Sequence, residues 1–250
     1  RYWRDWSSDV CSSDLDVTGT KLTPTTTFAF DGGAFYAPQS FWDDAGRRIQ
    51  FGWLREARPA TVHGPTGWAG AMSLPRVLRV TPDGRLAGSP APEVAALRRE
   101  RIPITASGGT HHAVELHEAH FELSLHFGSP TSGRSGAWVR TCPDGQETTF
   151  VGYDPEVGGL IVDRSKSSLD HVNLLTVSLT PLALADGVAF TVRVFGDASV
   201  LEAFIEDESG CLANIGDRIY PTRSDSLSIA VEGSTFIGGD AWTMADIWQR

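Results

Sequence analysis

Apolar and polar side chains alternate along much of the second half of this chain. Over 117–127, Phe121, Leu123, Leu125 and Phe127 fall on one side, and Glu122, Ser124 and His126 on the other. Phe190, Val192 and Val194 alternate with Thr191 and Arg193, and Leu201, Ala203 and Ile205 oppose Glu202, Phe204 and Glu206. A period of two sustained over five or more residues predicts strands with one buried face, as in antiparallel sheets. Turn formers punctuate them: Asp31-Gly32-Gly33, Pro82-Asp83-Gly84, Pro143-Asp144-Gly145, Gly158-Gly159 and Asp186-Gly187. One short stretch, 93–101, reads as helical, and no internal repeat stands out. The chain is predicted to be all-β.

Downstream of 105 the strands recur at the spacing of a β-sandwich. Upstream, an aromatic-rich segment is too short to hold a core of its own and is expected to pack on something else. Five prolines (Pro75, Pro82, Pro90, Pro92 and Pro103) gather between the two parts. The expected organisation is therefore a first unit over 16–78, a linker over 79–104 and a sandwich over 105–250.

Composition and charge narrow the partners. A formal net charge of −10 disfavours nucleic acid and anionic membrane surfaces. No apolar run approaches the ~18 residues of a membrane-spanning helix. Neutral polar ligands such as sugars remain compatible. Compartment and oligomeric state stay open.

Residues 5–15, DWSSDVCSSDL, match letter for letter what one frame of a widely used sequencing-library adapter encodes. The segment 1–15 is expected to be such an artefact, with natural sequence starting near Asp16 and any upstream chemistry absent. Without Cys11, only Cys142 and Cys211 remain, too few for a disulfide framework, and whether they pair is undecided. His111, His112, His117 and His120 lack zinc-like spacing, and His117 and His120 have opposite strand parity. They are expected to be polar surface residues, and no metal or cofactor is expected.

Two stretches carry a family signal. Residues 30–53, FDGGAFYAPQSFWDDAGRRIQFGW, precede GWAGAMSLPR at 67–76. Residues 195–204, FGDASVLEAF, follow VDRSKSS at 162–168 and precede DRIYP at 217–221. Together these ordered motifs resemble the β-fructosidases (invertases, levanases and inulinases) of glycoside hydrolase family 32. The resemblance implies the last blade of a five-bladed β-propeller followed by a C-terminal β-sandwich. It also implies a parent enzyme that cleaves terminal β-D-fructofuranosyl residues from sucrose or fructans through a covalent fructosyl-enzyme. A retaining glycosidase needs two carboxyl groups about 5 Å apart, one ionised and one protonated. The family's W-(M/L)-N-D-P-N-G, R-D-P and E-C motifs, which carry its nucleophile, its transition-state-stabilising Asp and its general acid, do not occur here. No catalytic residue is assigned, and the chain alone is expected to be inactive.

Asp31, Tyr36 and Trp53 are the candidate substrate-binding residues. Aromatic rings pack on the apolar faces of sugars, while a carboxylate and a phenol bond their hydroxyls. By resemblance, this Tyr and Trp lie near the subsite for terminal fructose. Arg76, closing the SLPR motif, is expected to bond strand-end carbonyls rather than a carboxylate. Two other functions compete: a non-catalytic carbohydrate-binding sandwich, and fructosyl transfer within the same family.

Overall fold

The computed structural model describes residues 11–18, 21–81, 84–130, 133–173 and 175–246. Residues 1–10 of the segment read as an artefact, and Pro82-Asp83 of one expected turn, lie outside them. The all-β expectation holds. Strand β1 (Cys11–Thr18) pairs antiparallel with β2 (Lys21–Ala29). An antiparallel sheet follows, formed by β3 (Phe35–Trp42), β4 (Arg48–Leu54), β5 (Ala71–Met72), β6 (Arg76–Val80) and β7 (Leu86–Pro90). Its order is β3-β4-β6-β7, with the short β5 alongside β4.

The sandwich is built from β8 (Arg98–Thr105), β9 (His111–Val114), β10 (His120–Phe127), β11 (Ser135–Thr141), β12 (Thr148–Asp154) and β13 (Gly159–Lys166). It continues through β14 (Val177–Pro181), β15 (Phe190–Asp197), β16 (Val200–Asp207), β17 (Gly210–Arg218), β18 (Ser228–Glu232) and β19 (Phe236–Met244). One six-stranded sheet runs β17-β16-β15-β10-β19-β8 and the other β14-β13-β12-β11-β18-β9. Their inner faces enclose one core that includes Phe121, Leu123, Leu125 and Phe127 with Val192, Val194, Ala203, Ile205, Val151 and Val162. This is the alternation of β10, β15 and β16 turned into burial.

The region expected to be a linker is almost entirely structured. It holds the end of β6, all of β7, a 3-10 turn over Pro92–Leu97 and most of β8. Its described prolines sit where a missing N–H costs little: Pro90 ends β7, Pro92 opens the 3-10 turn, and Pro103 lies on β8, an edge strand. The helical expectation for 93–101 holds only in part, because the chain extends from Arg98.

A second difference concerns β16. The pattern predicts one buried face, but Glu202 and Phe204 are as buried as Leu201 and Ala203. Phe204 packs with Phe195, Cys211, Val94 and Ala87 in a separate cluster, because the blade covers the outer side of this sheet. Gly216 on β17 marks how close that approach is. A Cβ there would lie 2.7 Å from Leu54 and 2.8 Å from the guanidinium of Arg76. Cys142 and Cys211 are both free and buried.

Candidate functional site

Asp31 follows the buried Phe30 and turns its carboxylate back into the seam between blade and sandwich. It accepts hydrogen bonds from the amides of Gly33 (2.9 Å) and Gly216 (2.9 Å to Oδ2) and from Asn214 Nδ2 (3.3 Å). Arg76 Nη1 donates to the same Oδ2 at 2.8 Å. The other side of that guanidinium holds Glu202, with Nη2 at 2.7 Å and Nε at 3.1 Å from Oε2. Glu202 Oε1 accepts from the amide of Leu74. Both carboxylates and the arginine are shut off from solvent, and the guanidinium lies 4.3 Å from the Phe35 ring centroid.

Burial pushes the Glu202 carboxyl above its ordinary value, with Arg76 pulling the other way. Burial likewise works against the charge on Arg76, but Glu202 and Asp31 outweigh it and hold its pKa high. The seam continues with Arg164 and Asp217 (3.1 Å) and with the fully buried Arg218, which donates to Ser199 Oγ (2.9 Å). Two arginines therefore pair with three carboxylates, and Arg218 reaches a fourth, Glu56, at 3.9 Å, which is how buried charge is tolerated.

This arrangement corrects two expectations. Asp31 does not line a pocket for sugar, because its oxygens are already saturated inside the protein. Arg76 is a carboxylate clamp, not a cap on strand ends. Asp31 and Glu202 do meet through one residue, but an arginine lies between them where an acid-base pair needs a reacting bond.

Tyr36 and Trp53 are brought together on the opposite side of the blade. They are cross-strand partners on β3 and β4, and their rings meet edge to face at 6.1 Å. The Arg55 guanidinium sits 5.0 Å from the Tyr36 ring centroid, and Trp53 Nε1 donates to the carbonyl of Ala69 (3.3 Å). Gly70 makes this possible: its φ is +75°, and a Cβ would lie 1.9 Å from the indole nitrogen. Trp53 remains 37% exposed, its cross-strand neighbour Met72 is exposed, and so is Trp68. The result is an open wall of aromatic faces with a cation at one end.

Sequence reasoning missed a second polar cluster beside this wall. The Glu56 carboxylate accepts from Arg58 Nε (2.9 Å) and from the Tyr220 hydroxyl (2.5 Å). Burial opposes its charge, yet these hydrogen bonds hold its pKa at about 2. Burial and the adjoining Glu56 push the Tyr220 phenol to about 12. Only the RIYP motif hinted at Tyr220, and nothing local pointed to its partner.

The histidines do not converge. His112, expected on the surface, faces inward beside Val114 and packs 4.8 Å from the Phe236 ring. His120 pairs instead with Asp197 (2.7 Å), and His117 lies outside any strand.

Residues 93–249 match the profile described as Glycosyl hydrolases family 32 C terminal, and residues 6–90 match Glycosyl hydrolases family 32 N-terminal domain. The chain belongs to glycosyl hydrolase family 32. It is 30% identical over 237 residues to a sucrose-6-phosphate hydrolase of Zymomonas mobilis, covering 90% of this chain and 45% of that protein. Against a raffinose invertase of Escherichia coli it is 28% identical, covering 85% and 43%. The crystal structure of fructan 1-exohydrolase IIa from Cichorium intybus superposes with a TM-score of 0.76 at 20% identity, covering 90% of this chain and 52% of that one. The chain thus spans about half the length of the curated relatives it matches. The family-32 fold accounts for a propeller blade joined to a sandwich.

Proposed function

We propose that this chain supplies one aromatic side of the fructoside-binding funnel of a retaining β-fructosidase acting on sucrose or fructans, and that it does not hydrolyse them by itself. The observation that carries this reading is the division of labour across the blade. Tyr36, Trp53 and Arg55 stand on the open face, while Asp31 and Glu202 are sealed behind it by Arg76. An open aromatic wall suits the apolar face of a sugar ring, and Arg55 at its edge can donate to hydroxyl oxygens. Chemistry needs more: a nucleophile and a proton donor on either side of the glycosidic bond. Among the described residues, Glu56 is already committed to Arg58 and Tyr220, and Asp31 to Arg76. Those carboxyl groups are assigned to the remainder of a family-32 propeller. Relatives named sucrose-6-phosphate hydrolase, raffinose invertase and levanase support the fructoside class.

The test is direct. Purified 250-residue protein is incubated with sucrose, levan and inulin, and glucose and fructose are measured enzymatically. No release above the buffer blank is expected. Release that depends on protein concentration overturns the assignment of the catalytic carboxyl groups elsewhere.

A further inference from the structure

The outer face of the second sandwich sheet, on the far side from the blade, holds a feature that neither the fold nor the aromatic wall accounts for. Trp138 on β11 points outward with Phe150 on one flank and Ala230 on the other, its cross-strand partners on β12 and β18. Ala230 is in turn opposite Ala113 on β9. Small Ala230 beside the indole leaves a trough of about 390 Å³, lined by Trp138, Ala230, His111, Thr141, Thr148 and Ser228. That volume lies within the range of small-molecule sites.

The indole is held in place. Its ring meets Phe150 edge to face at 5.3 Å, and its N–H donates to the carboxylate of Glu232. Phe150 is itself braced by the Arg134 guanidinium at 4.9 Å, which Asp154 and Asp163 anchor at 2.9 and 3.1 Å. A preorganised ring spends no conformational entropy when a ligand stacks on it.

The chemistry of the lining selects the ligand. Among the described residues no lysine or arginine lines the trough, so phosphate and carboxylate ligands find no countercharge there. The nearby carboxylate of Glu232 is occupied by the indole, and the remaining polar groups are neutral hydroxyls and an imidazole. Thr141 and Thr148 lie 2.6 Å apart, one hydroxyl donating to the other. A flat apolar face bordered by neutral donors and acceptors matches a sugar ring, which presents C–H groups on one side and hydroxyls around its edge.

We propose that Trp138 is the platform of an accessory binding site for a neutral sugar chain, separate from the wall formed by Tyr36 and Trp53. That the chain is a fructan rests on the function proposed above; the site itself does not.

The experiment is affinity electrophoresis of the intact 250-residue protein in native gels containing soluble levan. Wild-type protein should be retarded relative to a plain gel. Trp138→Ala should lose at least nine-tenths of that retardation. Ala230→Gln, which fills the trough while keeping the indole, should do the same and guards against misfolding of the first variant. Val157→Ser, on the exposed turn between β12 and β13, should stay retarded to within about twofold of wild type, and Trp53→Ala is run beside it. Unretarded wild-type protein overturns the proposal, as does retardation that survives in both Trp138→Ala and Ala230→Gln. Retardation lost only in Trp53→Ala also overturns it, while leaving the aromatic wall as the sugar site.

Discussion

Replacing Arg76 with methionine removes the hub of the seam while nearly keeping its volume. The consequence differs for its two carboxylates. Asp31 retains the amides of Gly33 and Gly216 and the Asn214 side chain, whereas Glu202 retains only the amide of Leu74. A buried charge stripped of its partner costs about 3–5 kcal/mol. For a chain of this size each kcal/mol moves the unfolding midpoint by roughly 2–4 °C, so R76M should lose about 6–20 °C in a thermal scan. Because Glu202 bears most of that penalty, the double variant R76M/E202Q should be clearly more stable than R76M. The deficit should also depend on pH. Burial already holds Glu202 above its ordinary 4.5, and removing the arginine raises it further. A carboxyl raised in the folded state keeps its proton there and loses it on unfolding, so stability falls as pH rises through that interval. R76M should therefore recover towards wild type between pH 8 and pH 5. A loss below about 1 kcal/mol, or a double variant no more stable than R76M, refutes the account of the seam as an isolated charge cluster.

Two further outcomes follow from the wall. Glu56 has the opposite titration behaviour: its pKa is held at about 2 against an ordinary 4.5, so its contribution is complete above 4.5 and disappears as pH falls towards 2. Glu56→Gln should flatten the acid limb of a stability–pH curve over that interval, and an unchanged limb would count against its ion pair with Arg58. Gly70→Ala forces a left-handed backbone costing about 1–3 kcal/mol and drives a methyl into the Trp53 indole, so near-ultraviolet circular dichroism should change. Superimposable spectra would mean that the indole is not pinned as described.

What could be read in advance and what could not divide along a physical line. The alternation of Phe121 to Phe127 is visible because one side of β10 meets a continuous core, and a period of two reports that directly. The same period in β16 gives Glu202 and Phe204 as the outward face without saying what lies outside. Arg76 is 126 positions away from Glu202, so no local pattern links them. Asp31 was legible as a turn residue beside two glycines, and its local bond to the Gly33 amide bears that out. Its long reach to Gly216, 185 positions on, removes it from the aromatic wall. Tyr36 and Trp53 could be chosen from motif and chemistry, and their meeting follows from the β3–β4 register. Proline density suggested a linker over 79–104 because composition does not distinguish a loop from strand ends and an edge strand.

Only Ala91 separates the last blade strand from the 3-10 turn that leads into the sandwich, and β17 has no side facing water where Gly216 meets Leu54 and Arg76. Evolution therefore cannot trade this sandwich as a loose cassette between unrelated catalytic partners. A recipient would have to bring its own aspartate and arginine to the same places, or inherit the two halves as a single heirloom.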